Sequence, residues 1–227
     1  MPHHPVAPRR RILKAAVAGA VAALAGGRAL RSFAADPFKI GLILPLTGPF
    51  ASTGRQIQAA CRLYMQQNGD TVAGRKIDLI VKDDTGLAPE TTRRIAQEFV
   101  TKDKVNVLAG FGLTPLALAS ASIATESKTP MIVMAAATSI ITSKSPYIVR
   151  TVFTLPQVTG PIADWAPKNK IKTVVTLVTD YGPGLDAEKT FVKRFTEGGG
   201  KIVESVRVPL RNPDYAPFLQ RVKDTKP

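Results

Sequence analysis

The chain has 227 residues and a 44% hydrophobic content, which is that of a globular protein able to bury a core and excludes a disordered chain. Of its formal charge of +14, six positive charges (Arg9, Arg10, Arg11, Lys14, Arg28 and Arg31) precede residue 35 with no acidic residue among them, leaving +8. That remainder divides evenly, +4 over 36–150 and +4 over 151–227, and aromatic residues make up only 6%, so the basic stripe interleaved with aromatics of a nucleic-acid binder is excluded.

The first segment differs in kind from the rest. "PRRRILKAAVAGAVAALAGG" sets a basic cluster before a small apolar run from Ala15 to Ala25, and "RSFAAD" places Ser32 and Ala34 for cleavage after Ala34. Residues 1–34 therefore read as an export signal of twin-arginine-like form, and the expected location is periplasmic. The apolar run falls short of the roughly 20 residues that a membrane span needs. His3 and His4 leave with the signal, so a processed chain has no imidazole, which removes Ser-His-Asp and Cys-His catalysis and every histidine-based zinc site. The single cysteine, Cys61, lies in "IQAACRLYM" at helical spacing with Ile57 and Tyr64 and reads as a buried, inert thiol.

From Phe38 onward apolar runs alternate with amphipathic stretches. "FKIGLIL" predicts a strand, Ser52 to Asn68 a helix, "KIDLIVKDD" a strand, and Pro89 to Thr101 a helix with proline in its first turn. "VNVLAGF", "TPLALASASIATES" and "PMIVMAA" continue as strand, helix and strand, and a shorter segment leads to "YIVRTVF". This βαβ series implies a mostly parallel sheet covered on both faces. A second series begins after Thr151: a helix from Pro156 to Ala166, the strand "KTVVTLVTD", a helix from Leu185 to Thr196, the strand in "GGGKIVESVRV", and a helix from Tyr215 to Lys223. The fold class is thus α/β, with two doubly wound parallel-sheet lobes, 35–151 and 152–227. The second has only two strong strands and is expected to be incomplete, the chain being truncated at its C-terminus.

In such sheets ligands sit beyond the carboxyl ends of the strands, where helix N-termini offer free N–H groups. Four segments fall there: "LTGPFASTG", "KDDTGLAP", "GFGLTPL" and "MAAATS". The first is no P-loop, because Gly48 and Gly54 are one residue too far apart and Arg55-Gln56 follow in place of lysine and a hydroxyl residue. "GFGLTP" has Pro115 where a dinucleotide fingerprint needs its third glycine. Thr114 and Thr138 each follow a strand and open a helix, so each offers a hydroxyl beside free N–H groups, a combination suited to a carboxylate. Each could equally serve as a simple N-cap. Asp83 and Asp84 point to opposite faces as strand neighbours, which favours turn capping over a paired acid and base.

Taken in order, "KIGLILPLTGPFASTG", "IDLIVKDDTGLAPE", "VLAGFGLTPLALASASIA", "PMIVMAAATS", "YIVRT", "TDYGPGLD" and "NPDYAPFLQRVKDTKP" resemble the type I periplasmic solute-binding proteins of branched-chain amino-acid ABC transporters, the leucine/isoleucine/valine-binding protein family. The resemblance implies two lobes that close on a small carboxylate-bearing solute and deliver it to a membrane ABC permease, with no catalysis, cofactor or metal. It assigns the ligand carboxylate to Thr114, backbone and hydroxyl contacts to Ala136 and Thr138, a second-lobe contact to Tyr181, and a pocket-lining position to Thr53. Relatives often carry a serine pair where this chain has Leu113-Thr114 followed by Pro115, which points toward a less polar or non-amino-acid solute. A ligand-sensing receptor domain of the same fold and an exported carboxylate-dependent enzyme are the alternatives.

Overall fold

The computed structural model describes residues 35–211 and 213–227. The export-signal expectation falls on 1–34 and so lies outside the described residues. Among the described residues, eight strands and six α-helices alternate in the order β1 (Ala35–Leu44), α1 (Ala51–Asn68), β2 (Thr71–Val72), β3 (Arg75–Asp83), α2 (Pro89–Glu98), β4 (Val107–Gly110), α3 (Thr114–Ser127), β5 (Met131–Val133), β6 (Ile148–Arg150), α4 (Leu155–Lys168), β7 (Thr173–Thr179), α5 (Gly182–Glu197), β8 (Lys201–Val208) and α6 (Ala216–Thr225). A π-helical turn, Phe99–Asp103, extends α2, and a 3-10 turn, Ser139–Lys144, precedes β6.

The first sheet has the order β2-β3-β1-β4-β5-β6, and the second pairs β7 with β8. The β1–β4, β4–β5, β5–β6 and β7–β8 ladders are parallel, and the short β2–β3 hairpin is antiparallel. The chain leaves β1 toward β3 on one side and returns to β4 on the other, so the strand order reverses between β1 and β4. A crevice opens beyond the carboxyl ends of strands at such a reversal.

Two apolar clusters cover the faces of the first sheet. One joins Ile43, Leu108, Met131 and Val133 to Ile95 and Phe99 beside α2 and to Ala117, Ala121 and Ala124 of α3. The other joins Leu42, Leu44 and Ala109 to Ile57 and Cys61 of α1. Cys61 is half-buried, and burial pushes its thiol above the ordinary value, which leaves little reactive thiolate. The second sheet has a smaller core of Ala163, Ala166 and Phe195, with Phe191 stacked on Phe195 at 5.3 Å between ring centroids.

The turn after β1 explains the glycine in "ASTG". Gly54 lies so close to the preceding loop that a Cβ there would stand 2.0 Å from the Pro45 carbonyl oxygen, so only glycine lets α1 pack against the end of β1. Among the described residues, no helix is long and apolar enough to cross a membrane.

Candidate functional site

The loops beyond β1, β3, β4 and β5 converge at the switch point. Asp83, at the end of β3, binds the β1 turn: its carboxylate accepts the Leu46 N–H at 2.8 Å, the Thr47 hydroxyl at 2.6 Å and the Thr85 N–H at 2.8 Å. Desolvation alone would raise its pKa, but these bonds outweigh it and hold the carboxyl below the usual aspartate range. Asp84 is fully buried on the other side and accepts the Gly86 N–H at 2.9 Å and the Thr92 hydroxyl at 3.4 Å. Burial raises its value above the ordinary one. Both aspartates act as turn caps, and they form no acid–base pair.

Thr114 and Thr138 come together. Thr114 opens α3 after the extended Leu113, and Thr138 precedes the 3-10 turn after β5, yet neither hydroxyl caps its helix. Instead the two Oγ1 atoms lie 2.7 Å apart in a buried hydrogen bond. The residues are only 3% and 6% exposed, which decides between capping and a convergent hydroxyl pair. A hydroxyl donates one proton and accepts on two lone pairs, so the pair keeps further bonding capacity for a polar solute group.

Ala136 is buried two residues before Thr138, its N–H donating at 3.0 Å to the carbonyl of Phe111, three residues before Thr114. Tyr181 sits half-buried just ahead of α5, and burial raises its phenol above the ordinary value. Thr53 stands exposed in the first turn of α1, and among the described residues no hydrogen bond ties it to the Thr114–Thr138 pair. Of the five positions implied by resemblance, Thr114, Ala136 and Thr138 are therefore clustered, Tyr181 adjoins them through the chain at Gly182, and Thr53 stands apart.

Residues beyond those five complete the junction. A Cβ on Gly182 would lie 3.1 Å from both Thr114 Cγ2 and Thr138 Oγ1, so the start of α5 rests directly on the hydroxyl pair. Asp186 accepts the Ser139 N–H at 2.8 Å and the Ser139 hydroxyl at 3.0 Å. Arg150 donates to the Thr138 carbonyl at 2.6 Å and the Ser139 carbonyl at 3.2 Å. Arg211, past β8, donates to the Leu87 carbonyl on the loop before α2. The signal for Asp186 was present in "YGPGLD", since it lies four residues after Gly182 and hence on the same helix face. Grooves of about 520 and 630 Å³ also lie along α4 and α5, but they are shallow surface features lined by Asp164, Lys168, Arg194, Glu197 and Lys193, and they do not enclose a small solute.

A mostly parallel sheet whose strand order reverses between β1 and β4, with the start of α5 from a second sheet set against Thr114 and Thr138, is the arrangement of a type I periplasmic-binding fold. Residues 37–227 match the periplasmic binding protein family model, and the chain belongs to that family. It is 44% identical over 191 residues to a Leu/Ile/Val-binding protein homolog from Brucella abortus, covering 84% of this chain and 49% of that protein. A solute-binding protein of an ABC transporter from Rhodopseudomonas palustris BisB5, solved with 3,4-dihydroxybenzoic acid, is 62% identical with a TM-score of 0.82, covering 84% of this chain and 52% of that one. A second, from R. palustris HaA2 and solved with p-hydroxybenzoic acid, is 43% identical with a TM-score of 0.81 over 84% and 51% of the two chains. The chain spans about half the length of the relatives it matches.

Proposed function

We propose that this protein is the extracytoplasmic solute-binding component of an ABC importer and that its solute is a small aromatic carboxylate of the hydroxybenzoate class. The single observation that carries the geometry is the buried Thr114–Thr138 hydroxyl pair at 2.7 Å, capped by Gly182 at the start of α5. Two neutral hydroxyls at helix starts favour a carboxylate group, because helix N-termini carry a partial positive charge. Leu113 and Pro115 are the apolar neighbours of Thr114 in sequence, which suits an aromatic ring better than a zwitterionic α-carbon. The relative that shares 62% identity was solved with 3,4-dihydroxybenzoic acid, which supports the same class here.

In this reading residues 35–151 form one lobe and 152–227 contribute to the other, with the solute between them. Thr114 receives the carboxylate, Thr138 and the Ala136 backbone line its side, Tyr181 approaches from the second lobe, and Thr53 lines the outer mouth. An export signal over 1–34 sends the chain to the periplasm, where a membrane permease takes the solute; no bond is made or broken in the solute.

A thermal-shift comparison tests the class, since a solute that binds only the native state raises the melting temperature. The proposal expects a shift with p-hydroxybenzoate and with 3,4-dihydroxybenzoate and a smaller one with leucine. A shift with leucine alone would overturn the aromatic assignment in favour of branched-chain amino acids.

A further inference from the structure

The Ser139 peptide is held from two directions. Arg150, at the end of β6, grips the carbonyls on either side of it, Thr138 at 2.6 Å and Ser139 at 3.2 Å, and also reaches the Thr142 hydroxyl at 3.4 Å. These bonds stay within the elements of the first sheet and do not depend on the second. From the opposite side Asp186 of α5 takes the Ser139 N–H on one carboxylate oxygen at 2.8 Å and the Ser139 hydroxyl on the other at 3.0 Å. Asp186 is one helical turn beyond Gly182, the residue in contact with Thr114 and Thr138, so both contacts lie on one face of α5.

We propose that Asp186 is a positioning residue that latches the second lobe onto Ser139 and thereby sets the Thr138 hydroxyl toward the solute, with Arg150 as the fixed backstop. The inference rests on the solute-binding reading above. Its physical basis is that both Asp186 bonds cross between elements of the two sheets, so they exist only when the lobes are together. In an open arrangement the carboxylate and the Ser139 donors return to water. A contact present in only one of two states shifts their balance by its own net strength. Bonds to an ionised acceptor are stronger than neutral ones, and here both oxygens are engaged by one residue. The Arg150 guanidinium is pushed down by burial and drawn back up by the charge of Asp186, which places the two groups in one electrostatic unit around the 138–139 peptide.

The test is a distance measurement between spin labels at Tyr64→Cys and Lys193→Cys in a Cys61→Ser background, on the full chain with no solute added. Tyr64 and Lys193 are both exposed and belong to α1 and α5. Asp186→Ala is expected to lower the ratio of closed to open distances about threefold to tenfold, the strength of charge-assisted hydrogen bonds partly screened by solvent. The near-isosteric Asp186→Asn keeps the size and one acceptor and should fall between it and the wild type. Asp186→Ala combined with Ser139→Ala should open no further than Asp186→Ala alone, the mark of one shared interaction. In the same variants, p-hydroxybenzoate should dissociate faster with little change in its association rate. Distance distributions for both Asp186 variants that match the wild type would overturn the latch. Absence of p-hydroxybenzoate binding in the wild type would instead count against the solute class, while the distances, measured without solute, still decide for or against the role of Asp186.

Discussion

Thr138, 6% exposed, bonds the buried Thr114 through its hydroxyl and lies under Gly182. Thr138→Val should therefore strand the Thr114 hydroxyl, at a cost of about 1–3 kcal/mol in denaturant unfolding, the usual penalty for a buried polar group without a partner. Gly182→Ala tests the contact from the other side. A Cβ at 3.1 Å from both threonines requires them to give by a few tenths of an ångström, so solute affinity should drop while the melting temperature stays close to that of the wild type. Asp83 and Asp84 act on stability with opposite signs. The Asp83 value lies below the ordinary 3.8, so its contribution is present above that pH and lost as pH falls below it. The Asp84 value lies above 3.8, so the penalty for ionising it grows as pH rises from there through its folded value. Thermal denaturation at neutral pH should then show Asp83→Asn destabilised and Asp84→Asn stabilised, with both differences shrinking toward acid pH. Two substitutions that moved together would contradict the assignment. From sequence, the opposite facing of the two aspartates was legible through strand alternation, but the burial of Asp84 was not, because it depends on the loop folding back through Gly86 and Thr92.

At the level of elements, periodicity carried most of the fold. The segment 114–127 reads as a helix from sequence and is α3 to the residue, and the other predicted helices and strands all form with ends moved by a few positions. The hairpin strand β2 was not legible, since Thr71–Val72 is two residues long and has no period to detect. Nor was the change of pitch after α2. The stretch from Pro89 to Thr101 reads as one helix, but at Phe99 it widens into a π-turn that seats the ring fully in the core, against Gly41, where a Cβ would stand 2.6 Å from the ring. Lys82 lies 4.6 Å above the same ring and bridges Glu98 at 3.3 Å and Asp103 at 3.0 Å across the turn. Phe99→Ala should lose about 3–5 kcal/mol of unfolding free energy, as for other buried aromatic truncations. Lys82→Gln should lose no more than about 1 kcal/mol, because its partners are part-exposed and screened. A larger effect for Lys82 than for Phe99 in chemical denaturation would mean that the ion pairs, and not the ring, hold the turn.

Across the whole molecule, the two sheets are unequal. Six strands with apolar clusters on both faces stand against two strands with one small core, and Leu177 and Val203 of the smaller sheet remain 40% exposed. A two-stranded sheet has limited stability of its own, so amides of β7 and β8 should exchange hydrogen faster than those of β1 and β4; equal protection would show that the two sheets unfold as one unit. Sequence made the second α/β series legible and its small strand number with it. It did not show that α5 bears on the first sheet, because the contacts of Gly182 with Thr114 and of Asp186 with Ser139 join residues 68 and 47 positions apart that no local pattern relates. In the proposed function a carboxylate solute is held at the Thr114–Thr138 pair. Calorimetric titration of p-hydroxybenzoate into the wild type and Thr114→Val tests it most directly. Saturable one-site binding is expected in the wild type, with a loss of about tenfold or more in the variant, the strength of a hydrogen bond to a charged group. Equal affinity in the two proteins would contradict it.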